Sequence, residues 1–448
     1  MRISRDLATV VVFCWLLFSP FAEASGIKPG DVITPDNAAL VKDLVSPGNF
    51  VLVKQGMRMT IVPTAILEWP PPYKSATEKY SAQVNLNPKG ELEHYVAGLP
   101  FPLIEPNDPQ VARKVMWNFS FRPQYTDDVD LREVELASYS ATSGEPIEHF
   151  RIGHVSFYSY IGRTEVQPIP TDPDGASTGI RYRFGAFPFE EPAEIEGFGF
   201  VRYRYIDPSH EDNTWSYMPG LRKVRRVAAN VLSDVLPPTS KISGGGSMPG
   251  GASATFVNNL DADSAFGFGA KIEDFDYRFL GMKPMLASVH AESVPAKPCQ
   301  FDNRRTICPE NWEMRNLYVI EATAKPQSWT QKIGSDGLAI PKRIFYIDSE
   351  SWFITASDQY DKDGKLWKTI ATFNAYRDRA IPDAKVAIYP FKRSFQTALV
   401  DEDIQSGYST VEYTPGREGT DQECWYINMG IVTKALLDPH HMAIIGER

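Results

Sequence analysis

Alternation of polar and apolar side chains with a period of two residues is the feature that most limits how this chain can fold. In residues 179–184 and 198–206, arginines alternate with aromatic or β-branched residues. A period of two places the two kinds of side chain on opposite faces of a β-strand. Further segments of similar pattern predict strands at residues 131–139, 148–160, 271–279, 317–324, 343–348 and 366–376.

Turn-forming sequences separate these segments and predict hairpins or tight turns. They are Pro88-Lys89-Gly90, Asp172-Pro173-Asp174-Gly175 and Asp361-Lys362-Asp363-Gly364. With at least ten strands expected, the sheet must be antiparallel or an open barrel, because parallel strands need long crossover connections. The fold class predicted from the residues is therefore mainly β (α+β).

Only a few short helices are predicted. One begins at Thr34-Pro35, with Thr34 as the cap, and ends at Ser46-Pro47-Gly48. A second begins at Asp108-Pro109 by the same signature. Their apolar faces are Leu40, Val41 and Leu44 in the first helix, and Val111, Val115 and Phe119 in the second.

The N-terminus has the pattern of a secretory signal peptide. Arg2 and Arg5 precede an uncharged, mainly apolar run at residues 7–18, and the triplet Ala22-Glu23-Ala24 suits signal peptidase. The alternative is a membrane anchor, which needs about 20 apolar residues. This run is shorter, so residues 1–24 are interpreted as a cleaved signal peptide and the chain as exported to the periplasm.

The cysteines are consistent with export to an oxidising compartment. Cys299 and Cys308 enclose a short polar segment of the kind that disulfides close in secreted proteins. In the loop-entropy description such a ring stabilises the fold by roughly 2–3 kcal/mol. A metal site is the alternative, but no CxxC pair or histidine cluster accompanies the two residues. Cys424 is interpreted as a small buried hydrophobe.

Residues 237–254 are rich in glycine, proline and serine and include Gly244-Gly245-Gly246-Ser247. Such a composition is typical of a flexible loop or linker.

No recognised catalytic or cofactor-binding motif is found. The formal net charge of −10 argues against a nucleic-acid binder. A GxSxG elbow, a P-loop and a dinucleotide fingerprint are all missing from the sequence. We therefore expect a protein that is not an enzyme and has no cofactor or metal. The histidines are scattered at His94, His149, His154, His210, His290, His440 and His441.

The most specific cluster combines an aromatic strand with a basic turn. Trp215 and Tyr217 share one face of their strand, and Tyr203 and Tyr205 share one face of the preceding strand. The turn Pro219-Gly220 then leads into basic residues, of which Arg222, Arg225 and Arg226 are the candidate rim. Two interpretations stay open: a solvated basic edge, or a positive rim beside an apolar surface that suits an acidic head group or partner.

Residues 217–226, Tyr-Met-Pro-Gly-Leu-Arg-Lys-Val-Arg-Arg, resemble the turn of LolA/LolB-like outer-membrane lipoprotein-sorting proteins. Two further stretches resemble one bacterial family of that superfamily, the domain of unknown function numbered 1329. They are residues 93–102 with Asn107-Asp108-Pro109-Gln110, and residues 343–367. The resemblance covers roughly residues 53–442, and its motifs carry no known chemistry.

The resemblance implies a strongly curved antiparallel sheet, an unclosed LolA-like β-barrel with a hydrophobic cavity and covering helices. It implies that residues 25–448 form a single large domain with the loop at 237–254. It also implies a periplasmic protein, possible contact with the outer membrane, and work alongside an inner-membrane exporter of the resistance-nodulation-division type.

The resulting hypothesis is a periplasmic binding or carrier protein for a lipid or other hydrophobic molecule. Tyr203, Tyr205, Trp215 and Tyr217 are its candidate wall, and the three arginines its rim. The alternative is a non-catalytic assembly protein that uses the same sheet to dock an outer-membrane or export complex. A third possibility is a hydrolase or isomerase with an unrecognised site.

A first prediction concerns processing and redox state. We expect the intact mass of the exported protein to show loss of residues 1–24 and of the two hydrogens that a Cys299–Cys308 disulfide removes. A retained N-terminus, or two free thiols at these cysteines, contradicts the prediction.

Overall fold

Antiparallel strands form most of the computed structural model, which describes residues 26–227, 267–325, 340–382, 386–414 and 425–446. The predicted signal peptide, the loop at 237–254 and Cys424 lie outside these residues and stay predictions. The strands are β1 Val32–Ile33, β2 Met59–Ile61, β3 Asn85–Leu86, β4 Leu92–Glu93, β5 Asp128–Ser140, β6 Ser143–Ser159, β7 Ile180–Ala186, β8 Phe189–Glu191, β9 Gly199–Tyr205, β10 Asn213–Met218, β11 Lys223–Val227, β12 Phe275–Ala287, β13 Glu310–Ala324, β14 Lys342–Asp348, β15 Ile354–Tyr360, β16 Leu366–Arg377, β17 Arg393–Asp403, β18 Tyr408–Tyr413 and β19 Trp425–Ile427.

A 17-stranded sheet contains all of these strands except the hairpin β3–β4. Its main order is β11-β10-β9-β7-β6-β5-β18-β17-β16-β15-β14-β13-β12, and every neighbouring pair in it is antiparallel. Among the pairings between described strands, only β2 runs parallel to its neighbour, β13. The end strands β11 and β12 are not paired with each other in the described residues. The predicted mainly β fold, with a large curved and unclosed antiparallel sheet, is confirmed.

Each strand segment predicted from alternation corresponds to an observed strand, although β12 begins only at Phe275, after a 3-10 turn at Ile272–Asp274. The strands β15 and β17 were not recognised by alternation. Nearly all of their residues are buried, whichever face they occupy. Both strands bury polar residues as well, such as Asp358 and Asp401, so their polar and apolar side chains do not separate into an exposed and a buried face with a period of two.

The helices are α1 Pro47–Gln55, α2 Pro71–Tyr80, α3 Val111–Ser120, α4 Pro173–Thr178 and α5 Pro439–Gly446. The helix predicted after Asp108-Pro109 is confirmed as α3. Its buried residues Val111, Val115 and Phe119 form one hydrophobic cluster with strands β12, β13 and β14. In the part of the chain that the structure describes, no helix is long and apolar enough to cross a membrane.

The prediction that Ser46-Pro47-Gly48 ends a helix is wrong. The preceding segment contains only a 3-10 turn at Ala38–Val41, and α1 begins at Pro47 with Ser46 as its N-cap. The Ser46 hydroxyl accepts the Asn49 N–H at 3.0 Å, and the Gly48 N–H donates to the Asp358 carboxylate at 3.1 Å. The Ser-Pro pair is thus an N-terminal cap followed by a first-turn proline.

Two of the predicted turns differ in outcome. Asp361-Lys362-Asp363-Gly364 joins β15 to β16, and its Asp361 carboxylate accepts backbone N–H groups of Asp363 and Lys365. Asp172, in contrast, caps helix α4 by accepting the Asp174 N–H at 2.9 Å. The sequence Asp172-Pro173-Asp174-Gly175 is therefore the start of a short helix and not a hairpin turn.

The disulfide between Cys299 and Cys308 is confirmed. Both half-cystines are buried, so the bond closes its loop inside the protein.

Close packing at the start of α1 generates a second prediction. A methyl group on Gly48 would overlap the side chains of Asp358 and Thr369, whereas one on Gly220 would meet open space. We expect Gly48→Ala to lower the free energy of unfolding by about 1–3 kcal/mol, the usual cost of overpacking. Gly220→Ala is the matched control and should change it by less than about 0.5 kcal/mol. Equal urea midpoints for the two variants would contradict the packing described here.

Candidate ligand-binding cavity

A cavity of about 190 Å³ lies between the C-terminal end of α3 and the strands β5, β6, β7 and β9. Its lining residues are mostly apolar or aromatic, with a few charged groups. They include Tyr95, Phe119, Ser120, Phe121, Arg122, Tyr125, Val129, Leu131, Val134, Leu136, Ile152, Val155, Phe157, Arg181, Tyr182, Phe184, Ala186, Arg202, Arg204, Phe268, Ile272 and Glu412.

The apolar wall on β5 depends on a local break in the alternation. Val129 and Leu131 face the cavity, and so do Val134 and Leu136, so the inward positions shift by one residue between the two pairs. Glu133 lies at the shift and has a φ of 54°, a left-handed conformation that is uncommon for a residue other than glycine. With unbroken alternation Glu133 would face the cavity; because of the shift, Val134 faces it instead.

The neighbouring strand β6 shows the same change of phase. Ile152 lines the cavity, and the next lining residues are Val155 and Phe157. Val155 and Phe157 are only partly buried although they are apolar. Apolar side chains that line a cavity and keep part of their surface accessible are typical of a ligand-binding site.

A β-bulge on β7 brings Arg181 to the cavity. Ile180 pairs with Tyr205 and Tyr182 pairs with Arg204, so Arg181 is an extra residue opposite two consecutive residues of β9. Because of this extra residue, Arg181 and Tyr182 both line the cavity, whereas strict alternation would allow only one of them.

The Arg181 guanidinium lies against helix α3 and its neighbours. One terminal nitrogen donates to the Ser120 hydroxyl at 2.6 Å, and the guanidinium carbon is 4.2 Å from the centre of the Phe121 ring. Trp117 and Tyr182 lie farther away, with their ring centres at 5.8 and 5.7 Å. Aromatic faces attract a cation at such distances and hold the guanidinium in place.

Three further arginines border the cavity: Arg122, Arg202 and Arg204. Arg204 is held in an ion pair with Asp212 at 2.8 Å. Burial lowers the pKa of Arg122 to about 10. Burial also lowers the pKa of Arg181, and the positive charge of Arg204 lowers it further. Arginines thus border the cavity from the end of α3 and from strands β7 and β9, and Arg204 among them is neutralised by Asp212.

Glu412 is the acidic residue among the lining residues. It lies on β18 opposite Leu136 of β5 and Leu399 of β17, so its neighbours across the sheet are apolar. Burial raises the pKa of Glu412 to about 8, and a hydrogen bond from the Thr414 hydroxyl opposes this rise.

The four aromatic residues proposed from the sequence lie together, as the hypothesis required. Strands β9 and β10 pair, and the ring centres of Tyr203 and Trp215 are 4.8 Å apart. Tyr217 is buried in the same cluster, and Tyr205 packs against its edge.

These aromatic residues occupy the face of β9 and β10 that is turned away from the cavity. Arg202 and Arg204 line the cavity, so Tyr203 and Tyr205, which alternate with them, point to the other side. There the Tyr203 hydroxyl donates to the Leu437 carbonyl at 3.0 Å, and the cluster includes Met442 of helix α5. The C-terminal segment thus covers the aromatic patch.

The candidate rim residues Arg222, Arg225 and Arg226 are exposed at the turn before β11 and on β11 itself. None of them lines the cavity. A role in ligand binding for these arginines and for the four aromatic residues stays a prediction, separate from the cavity described here.

Sequence reasoning did not identify the cavity residues for two reasons. The alternation on β9 was recognised, but it does not say which face is concave. The bulge at Arg181 leaves no trace in the hydrophobic pattern, and the break in alternation between Leu131 and Val134, although visible in the sequence, was not used. For Glu412, the isolated acid between Val411 and Tyr413 was the available signal.

Comparison with known proteins shows the family to which the chain belongs. The family model described as a protein of unknown function, DUF1329, matches residues 32–424. The chain belongs to the DUF1329 family. This confirms the family resemblance of the sequence motifs.

The DUF1329 chain is 22% identical to an uncharacterized protein of Pseudomonas aeruginosa over 386 residues, which cover 82% of this chain and 73% of that protein. Two solved structures each cover 74% of the chain with a TM-score of 0.43. One is a putative outer membrane lipoprotein-sorting protein domain from Vibrio parahaemolyticus, 13% identical, of which 97% is covered. The other is a DUF1329 family protein from Desulfovibrio piger, 14% identical, of which 98% is covered.

The environment of Glu412 generates a third prediction. Its pKa is about 8 in the folded DUF1329 protein against an ordinary value of 4.5, so the native state binds more protons than the unfolded state between these values. The free energy of unfolding should therefore fall as the pH rises from 5 to 8. Glu412→Gln cannot ionise, so we expect a smaller fall, with the gain in stability over the native protein greatest at pH 8.

Urea unfolding of both proteins at pH 5 and pH 8 measures this difference. Glu145→Gln, on an exposed part of β6, is the control and should keep the native dependence on pH. If Glu412→Gln and the native protein lose the same stability over this range, the carboxyl group is not held protonated by its surroundings.

Proposed function

We propose that this DUF1329 protein is an exported periplasmic binding or carrier protein whose cavity takes up the apolar part of a lipid or other hydrophobic molecule. The observation that carries the proposal is the cavity itself, an apolar concavity of about 190 Å³ bordered by a few charged groups. Ligand sites commonly combine a mainly apolar lining with a small number of polar groups that orient the ligand.

The energetics favour an apolar occupant. Each Å² of apolar surface removed from water contributes about 25 cal/mol, and several lining side chains are only partly buried without a ligand. A volume near 190 Å³ suits an aromatic ring or a run of methylene groups.

The construction of the wall supports a preformed site. Val134, Ile152 and Phe184 belong to strands that are hydrogen-bonded on both sides, so their positions are set by the sheet and not by the ligand. A preformed site binds with a smaller loss of conformational entropy.

The periplasmic location is supported by the predicted signal peptide and by the disulfide between Cys299 and Cys308. A hydrophobic molecule that crosses an aqueous compartment must be shielded from water, and a cavity of this kind provides the shield.

Native mass spectrometry of the protein purified from the periplasm tests the proposal. We expect a population that carries a bound lipid or another hydrophobic molecule. An empty cavity together with a co-purifying protein would overturn it and favour the assembly protein considered as the alternative.

A fourth prediction uses a variant that narrows the cavity. Val155→Phe adds volume to a partly buried lining residue, and we expect it to weaken binding of the neutral probe N-phenyl-1-naphthylamine about tenfold, a change of 1.4 kcal/mol. Ile147→Phe is the matched control on the same strand, at a residue that is 40% exposed and outside the cavity. Equal probe affinity in the two variants, with unchanged thermal midpoints, would show that the probe binds elsewhere.

A further inference from the structure

We infer that the cavity selects amphiphiles with an anionic head group, and that the Arg181 guanidinium binds this group while the apolar chain lies along β7, β6 and β5. This inference rests on the proposed function and names its ligand class.

The first support is that no carboxylate contacts the Arg181 guanidinium among the described residues. Two fully buried arginines are neutralised by carboxylates: Arg315 pairs with Asp348 at 2.9 Å, and Arg393 with Glu165 at 2.8 Å. The buried Arg163 is instead satisfied by four backbone carbonyls. Among the described residues, no carboxylate lies within 4.0 Å of the Arg181 guanidinium, and its one hydrogen-bond partner is Ser120. A partly buried charge with no carboxylate in contact is costly even though Glu273 attracts it from a distance, and a bound anion lowers that cost.

The second support is the β-bulge. Strict alternation on β7 would leave one residue fewer facing the cavity, and the bulge adds Arg181 beside the inward Tyr182. Bulges often re-aim a side chain next to a functional site. Among the described residues, the guanidinium that the bulge brings to the cavity contacts Ser120 and Phe121 but no carboxylate.

The third support is that the charged residues lining the cavity are mostly arginines. Arg122, Arg202 and Arg204 border the same cavity as Arg181, whereas Glu412 is the acidic lining residue. Glu412 lies on β18, separated from β7 by β5 and β6, so it does not pair with Arg181. Because Arg204 is neutralised by Asp212, the attraction for an anion at the end next to β7 and β9 depends on Arg181.

The geometry also sets the direction of the ligand. Along β7, Arg181 and Tyr182 are followed at the cavity by Phe184 and Ala186. Phe184 pairs with Phe157 of β6, and from there the apolar lining continues to Leu131 and Leu136 of β5. A head group at Arg181 thus places an attached chain on the apolar wall.

A guanidinium binds carboxylates and phosphates alike, so the shared chemistry is an oxyanion carrying at least two acceptor oxygens. Two probes distinguish the sources of such a group in a lipid: dodecanoate and dodecyl phosphate. Dodecanol supplies the same chain without charge, dodecylamine supplies it with a positive charge, and inorganic phosphate supplies the anion without a chain.

The experiment measures displacement of N-phenyl-1-naphthylamine from the delipidated full-length mature protein by each of these five probes. For the native protein we expect an affinity about tenfold or more higher for dodecanoate, dodecyl phosphate or both than for dodecanol, and the weakest binding for dodecylamine. Equal affinity for dodecanol and both anions overturns the inference. Displacement by inorganic phosphate as strong as by dodecyl phosphate also overturns it, because the chain would then contribute nothing.

Variants place the selectivity at Arg181. We expect Arg181→Gln to bind dodecanol as the native protein does and to lose the preference for the anion, while Arg181→Lys keeps part of it. The control Arg278→Gln removes an exposed charge on β12, outside the cavity, and should keep the full preference. An unchanged preference in Arg181→Gln overturns the inference, and if that variant does not fold, an unchanged preference in Arg181→Lys does so, because a lysine cannot reproduce the two-pronged contact.

Failure of the inference and failure of the proposed function give different results. If the native protein binds dodecanol but shows no preference for an anion, only the head-group inference fails. If no dodecyl compound displaces the probe, the cavity does not bind such chains and the proposed function fails with it.

Discussion

The ladder of hydrogen bonds between antiparallel strands positions nearly every side chain that matters in this protein. Once two strands are paired, the face that each residue occupies is determined, and a shift of one residue reverses all the faces beyond it. The lining of the cavity depends on two positions at which the regular alternation of faces is interrupted. The φ of 54° at Glu133 and the extra residue at Arg181 change which side chains face inward without interrupting the sheet.

The C-terminal segment decides which face of the sheet is left for a ligand. The buried carboxylate of Asp128, at the start of β5, accepts the backbone N–H groups of Gly430, Ile431 and Val432 at 2.9 to 3.3 Å. This contact ties the segment that precedes α5 to the sheet, and the segment then covers Tyr203 and Tyr217. An aromatic patch that suits a ligand by composition is thereby part of the core.

Charge is treated differently in the core and at the cavity. Arg315 is surrounded by Glu313, Asp348 and Glu350, so its charge is balanced where it is buried. At the cavity, Arg181 and Glu412 stand on different strands among apolar and aromatic neighbours, and burial shifts the pKa of each toward its neutral form. Such groups are costly for stability alone, which is why they are the natural starting points for a function.

The sequence by itself determined the fold class, the positions of the alternating strands, helix α3, the Cys299–Cys308 pairing and the family. All of these follow from local patterns: period-two alternation, a helix-start signature, a short cysteine loop and contiguous motifs. It predicted correctly that β9 and β10 carry aromatic residues on one face and that β9 carries arginines on the other.

Only the tertiary structure decided which of these faces borders a cavity. Alternation separates two faces but is symmetrical with respect to inside and outside, so Tyr203 and Arg204 are equally good candidates until the sheet curves and the C-terminal segment covers one side. Buried strands such as β17 lack alternation altogether, and the bulge at Arg181 arises from pairing with β9, a partner that the local sequence does not specify. The candidate site therefore consists of residues whose meaning depends on contacts between distant parts of the chain.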